Sequence, residues 1–168
     1  MKKLSLLLIF SWLLVSFSTA SAQPNRRSVG LGVSLGAAFP QGNPNDIQID
    51  DWDASLGWGF HVNIPLIGTF HLTPSAELYR FDKINATDVS LAFKFIVPAL
   101  MVDLYVGVAP GLTTYGDNTN FHIGGLGGLS FNLFSNLDLF AECKYKIIIL
   151  DDSNTRVLHT NAGILFHF

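Results

Sequence analysis

The chain has 168 residues, 49 % of them hydrophobic and 14 % charged, against roughly 25 % charged in ordinary soluble domains. It carries a formal charge of −3 and one cysteine, Cys143, so no intrachain disulfide is possible, and the acidic balance excludes the basic patch that a nucleic-acid binder needs. Few charges and much apolar surface leave a membrane-associated protein as the class to test.

The amino terminus sets the compartment. Lys2 and Lys3 precede an apolar run from Leu4 to Phe17 broken only by serines, and Ser18-Thr19-Ala20-Ser21-Ala22 supplies small residues at the cleavage positions. This is the pattern of a secretory signal peptide over residues 1–22, cut between Ala22 and Gln23. The apolar run is short for a bilayer span, which takes ~20 residues. No cysteine follows the cut, so a lipid anchor is not expected there. The mature domain, residues 23–168, then carries eight basic and thirteen acidic residues.

Eight alternating runs follow. In the first, Ser28 to Phe39, Val29, Leu31, Val33 and Leu35 oppose Gly30, Gly32, Ser34 and Gly36. A long polar connection, Pro40 to Asp53, leads to the second, Ala54 to Ile64, where Leu56, Trp58 and Phe60 oppose Gly57, Gly59 and His61. The third, Thr69 to Phe81, puts His71, Thr73, Ser75, Glu77 and Tyr79 on its polar file, and Pro74 inside it predicts a bulge or break. Asp82, Lys83 and Asn85 read as a medium loop before the fourth run, Asp88 to Val97. The fifth spans Met101 to Leu112, the sixth Asn120 to Leu133 and the seventh Leu137 to Ile149. The eighth, Arg156 to Phe168, sets Leu158, Thr160, Ala162, Ile164, Phe166 and Phe168 against Val157, His159, Asn161, Gly163, Leu165 and His167. Each run has the period of two that a strand requires. Links after runs 2, 4 and 6 read as tight; those after 1, 3, 5 and 7 read as longer or more polar.

Three features put the apolar file outside. The opposite file is mostly Gly, Ala and Ser rather than the Lys and Glu of a soluble surface. The apolar file holds more bulk than a narrow lumen can pack. Aromatic residues collect at its two ends, with Phe39, Trp58 and Phe121 at one and Phe70, Phe95, Phe131, Phe166 and Phe168 at the other, as in the girdles of a membrane barrel. With its eight strands, loop asymmetry and terminal Ile164-x-Phe166-x-Phe168, the chain resembles the small eight-stranded outer-membrane barrels of OmpA and OmpX type. The resemblance implies an all-β, antiparallel, up-and-down transmembrane barrel over residues 23–168, located in the cell outer membrane. It also implies that Ile164, Phe166 and Phe168 are the signal read by the insertion machinery, and that the partners are outer-membrane lipid and lipopolysaccharide. A monomer is expected, with an extracellular partner reached through the outer loops.

With the faces set, Glu77, Lys94, Asp103, Asp138, Glu142, Lys144 and Lys146 point inward. A mixed-charge network is expected around Glu77, Lys94, Asp103, Glu142, Lys144 and Lys146, with Lys94 between Glu77 and Asp103 and strand 7 facing strand 3. It fills the lumen, or alternatively re-pairs to open a narrow path for small solutes. Inward glycines on strands 1, 2 and 6 are expected to leave space there. All five histidines fall on the inward file. His61 and His71 become cross-strand neighbours if their turn centres on Leu66, but two imidazoles fall short of the three or four ligands of a stable zinc site, so no metal and no cofactor is expected. Asp46, Asp50, Asp51, Asp53, Asp82, Asp117, Asp151 and Asp152 lack calcium-loop spacing and read as loop solvation. Lipid A deacylase barrels carry a His and a Ser two residues apart facing lipid. Here His159-Thr160-Asn161 lacks the Ser and His159 faces inward, while Thr113 and Thr114 show no base nearby, so no catalytic residue is expected.

Overall fold

The computed structural model describes residues 28–41, 54–81, 84–99, 102–150 and 154–168. The expected signal peptide and its cleavage site lie outside the described residues, as do the loop carboxylates Asp46, Asp50, Asp51, Asp53, Asp82, Asp151 and Asp152. Eight strands form in chain order: β1 (Gly30–Gln41), β2 (Ser55–Pro65), β3 (Phe70–Phe81), β4 (Ile84–Ala99), β5 (Val102–Tyr115), β6 (Asn118–Phe134), β7 (Leu137–Ile149) and β8 (Asn154–His167). Each pairs antiparallel with its sequence neighbours, and β1 also pairs with β8 through Gly30↔His167 to Gln41↔Arg156, which closes the barrel and removes both edges. The Phe168 amide donates to the Val29 carbonyl at 3.0 Å, extending the β1–β8 seam past Gly30 and His167.

Alternation decides the two surfaces. Leu35, Leu56, Val106, Val89 and Phe70 are between 57 % and 85 % exposed on the outside, while Ser34, His61, Glu77, Lys94 and Lys144 are below 9 % on the inside. An exterior so apolar is matched to hydrocarbon, not water. At the end where β1 begins and β8 ends, Phe70 and Phe95 meet at 5.3 Å and Phe166 and Phe168 at 5.1 Å. Trp58 and Phe60 meet edge-on at 5.2 Å on the outer face of β2. The opposite end, where β1 ends and β2 begins, is the outer end by the usual loop asymmetry of such barrels.

The strands run further outward than the sequence reading expected. β4 starts at Ile84, so Asn85 and Thr87 belong to a strand, not a loop; β5 continues to Tyr115 and β6 starts at Asn118. The polar residues there resemble a turn in sequence, but a barrel wall extending past the membrane into water accepts Asn and Thr equally well. The β3–β4 and β5–β6 links are therefore two residues each, the second turning at Gly116 with φ 54°. Loop asymmetry rests mainly on the single long β1–β2 connection.

Pro74 interrupts pairing without a bulge. The β2–β3 ladder passes from His61↔Ser75 to Ile64↔Leu72 with its register unchanged, while the β3–β4 ladder is continuous through Pro74↔Leu91. The missing N–H is turned toward β2, where the ladder is open. Pro110 of β5 falls in a matching gap between Ser90↔Gly111 and Phe93↔Val108.

Inward glycines do not leave empty space; they are where a neighbour's bulk goes. A Cβ on Gly128 would lie 2.5 Å from the Tyr105 ring, and one on Gly163 would lie 2.8 Å from Phe140. Each glycine is the direct cross-strand partner of the aromatic, Gly128 of Tyr105 and Gly163 of Phe140, and lets the ring lie flat over the neighbouring strand.

Candidate functional site in the barrel lumen

Strand β7 carries Glu142, Lys144 and Lys146 on successive inward positions, and in an eight-membered ring it stands across from β3 and β4. Lys144 Nζ donates to Glu77 Oε1 on β3 at 2.7 Å. Lys146 Nζ pairs with Asp88 Oδ2 on β4 and donates to the Tyr79 hydroxyl at 2.7 Å. Lys94 of β4 donates back to Glu142 Oε2 at 2.5 Å and lies 4.5 Å over the Tyr105 ring. The three links cross the lumen in both directions and act as struts between opposite walls. A charge buried without its partner costs several kcal/mol, so each strut is a strong geometric constraint.

Around the struts the polar groups interlock. Tyr79 Oη donates to Asp88 Oδ1 at 3.0 Å and Asn161 Nδ2 donates to Glu77 Oε1 at 3.2 Å. His159 stands between the two carboxylates, its Nδ1 3.4 Å from Glu77 Oε2 and its Nε2 3.8 Å from Asp88 Oδ2, with its ring edge-on to Tyr79 at 4.8 Å. Glu77 Oε2 and His159 Nε2 make no hydrogen bond. Toward the outer end, Val157, Ile148, Ala38, Ala86 and Tyr79 close over the network in a small apolar cluster, with Tyr115 and Leu150 against it.

The opposite half of the lumen holds a cavity of about 70 Å³, lined among others by His61, His71, Lys94, Asp103, Asp138 and His167. His71 Nδ1 donates to Asn63 Oδ1 at 3.1 Å, and His61 Nε2 meets the Ser34 hydroxyl at 2.8 Å. His167 Nε2 lies 3.0 Å from Asp138 Oδ2, and Asn132 Nδ2 donates to Asp138 Oδ1 at 3.0 Å.

The structure thus brings Glu77, Lys94, Glu142, Lys144 and Lys146 into one network and sets Asp103, 7 % exposed, at the cavity. Lys94 is paired with Glu142 rather than placed between Glu77 and Asp103. Asp88 is absent from the expected network because it stands at the first position of the fourth run in the sequence. Its position four residues inside β4 makes it a central member. Tyr79, Tyr105 and Asn161 were missed for a plainer reason: nothing local signals a contact across a barrel. His61 and His71 are not neighbours either. They pair with Ser75 and Pro65, because the turn centres on Gly68, φ 61°, rather than on Leu66. Ile164, Phe166 and Phe168 all project outward, 41 % to 71 % exposed.

Thr113 does have a base beside it. His122 Nδ1 lies 2.8 Å from Thr113 Oγ1 and its Nε2 lies 3.1 Å from Ser90 Oγ. This pairing crosses β4, β5 and β6, so spacing could not reveal it. His122 is 0 % exposed and Thr113 1 %, and the two hydroxyls satisfy the hydrogen-bonding needs of a buried imidazole.

No family model matches this chain, and no curated protein does either. Among solved structures it is similar to Neisserial surface protein A, with a TM-score of 0.70 at 14 % identity over 83 % of this chain and 97 % of that one. It is also similar to the outer membrane protein OprG from Pseudomonas aeruginosa (0.59, 11 %, 84 % and 97 %). The N-terminal β-barrel domain of Pseudomonas aeruginosa OprF gives 0.54 at 15 % identity over 83 % and 98 %. With an apolar band turned to lipid and its charges sealed inside, the chain has the fold of the small eight-stranded outer-membrane β-barrels.

Proposed function

We propose that this protein is an integral outer-membrane barrel that serves as a rigid, closed platform, acting at the cell surface through its outer connections rather than by passing solutes. The observation that carries this reading is the strut set Lys144–Glu77, Lys146–Asp88 and Lys94–Glu142. It links β7 to β3 and β4 with side chains almost entirely out of reach of water. Eight-stranded barrels of this diameter are filled by side chains, and here the filling is held by charge. Similarity to a protein named for the surface supports the same role. The carboxy-terminal Ile164, Phe166 and Phe168 serve insertion, lipopolysaccharide and lipid surround a monomer, and the chain does no chemistry.

A second reading, a narrow path for small polar solutes, draws on the cavity beside His61, His71, Asp103 and Asp138, at the end of the lumen where β1 begins and β8 ends. Efflux from liposomes separates the two. Vesicles carrying the refolded mature chain, loaded with glycine or with potassium chloride, should retain their contents as well as protein-free vesicles do. Efflux that scales with protein content would establish the channel instead. Unchanged lipid A mass on deletion of the gene is expected, and a lost acyl-chain difference would make the protein an enzyme.

A further inference from the structure

We propose that His159 is a proton-operated latch on the lumen seal, a reading that rests on the closed lumen argued above. Its placement is unusual for a buried imidazole. Glu77 faces it from β3 and Asp88 from β4, at 3.4 and 3.8 Å, and both Glu77 Oε2 and His159 Nε2 are left without a hydrogen bond. Lys144 and Lys146 face the same two carboxylates from β7, Tyr79 stacks edge-on from β3, and β1 contributes only Ala38 opposite His159. Two carboxylates against two ammoniums leave the cluster neutral while His159 is neutral.

The three acceptor-rich groups, gathered within 4.8 Å, also have the look of a metal site. Charge argues against that occupant. A divalent ion would leave the cluster with a charge of +2, where a proton adds only +1, and uncompensated charge in such a place is what burial penalises most. A proton also fits the hydrogen-bond inventory. Cationic imidazole has two N–H donors; its Nδ1–H then serves Glu77 Oε2 and its Nε2–H serves Asp88 Oδ2, the two acceptors it already faces. Asp88 Oδ2 is the oxygen that Lys146 holds. The third positive charge therefore competes for the strut at Asp88 and repels Lys146 from it. Losing that strut frees the Lys146 side chain below the apolar cover of Val157 and Ile148 and opens the lumen to water.

Planar-bilayer recordings of the refolded mature chain between pH 7 and pH 3.5 test this, alongside His159→Asn, which keeps a polar side chain but cannot take up the proton. Unboiled gel mobility at each pH reports that the barrel stays folded. The expected result is a silent wild type at pH 7, reversible openings on acidification, and at least a tenfold lower open probability in His159→Asn at every pH where the wild type opens. Acid openings of equal size in His159→Asn, or a wild type silent at every pH, would overturn the latch. Should His159→Asn not fold, the imidazole 15N shifts of the wild type decide, since a neutral His159 at a pH where openings occur is equally fatal. Openings at pH 7 would instead strike the closed-lumen reading itself.

Discussion

Toward the outer end of the lumen Lys144, Lys146, Asp88, Thr113 and His122 are each at most 1 % exposed, and every lysine there lies on a carboxylate. Toward the end where β1 begins and β8 ends, His71, Asp103 and Asp138 are 6 % to 8 % exposed and border a cavity of about 70 Å³. One wall of alternating residues produces both regions. The difference lies in how fully the walls are bridged: β7 sends Lys144 and Lys146 across the outer half, whereas in the other half Lys94 reaches across to Glu142 while His61, His71, Asn63 and Asp138 stop at hydrogen bonds with nearer groups. Charge seals the half where opposite walls can touch. Where Lys94 is the bridge and the other lining groups are short, space remains.

Substitutions should separate the two halves by size of effect. Lys146→Ala leaves Asp88 buried without its ammonium, and breaking such a pair should cost ~3–5 kcal/mol, read as a lower urea midpoint for the folded barrel in detergent. Replacing both partners, Lys146→Met with Asp88→Leu, should recover much of that loss; equal damage in the double variant would show that the pairing is not the source. Val106→Arg on the lipid face should cost ~2–4 kcal/mol if that position lies near the bilayer midplane, measured by refolding into vesicles, and a neutral result there would place the apolar band wrongly. Gly128→Val drives a side chain into Tyr105 and should cost ~1–3 kcal/mol by overpacking, visible as a lower temperature for the gel-mobility shift. His71→Asn, in the half with the cavity, removes only a neutral hydrogen bond beside open space and should cost ~0.5–1.5 kcal/mol. A loss there as large as that of Lys146→Ala would erase the distinction between the halves.

How far the sequence carried this picture follows from the physics of each feature. Which side chains face lipid is written locally, because a strand alternates and the two solvents differ sharply, so Leu31, Phe60 and Phe166 declare themselves one residue at a time. Strand ends were harder, since Asn85 and Thr113 are equally at home in a turn and in a wall that stands in water. The partner of Lys94 was not legible at all. It depends on the stagger of the closed ring, which sets Glu142 rather than Glu77 at the right height, and no spacing along the chain encodes that. Glycine misled for a related reason: Gly128 and Gly163 look like voids in their own strands and are filled by Tyr105 and Phe140 from others.

The claim that cross-lumen ion pairs close this barrel is tested most directly by single-channel recording at pH 7 of the wild type against a Lys144→Ala/Lys146→Ala double variant, both verified as folded by unboiled gel mobility. The struts predict a silent wild type and a conducting double variant. Steady unit conductance in the wild type, or a folded double variant as silent as its parent, would contradict them.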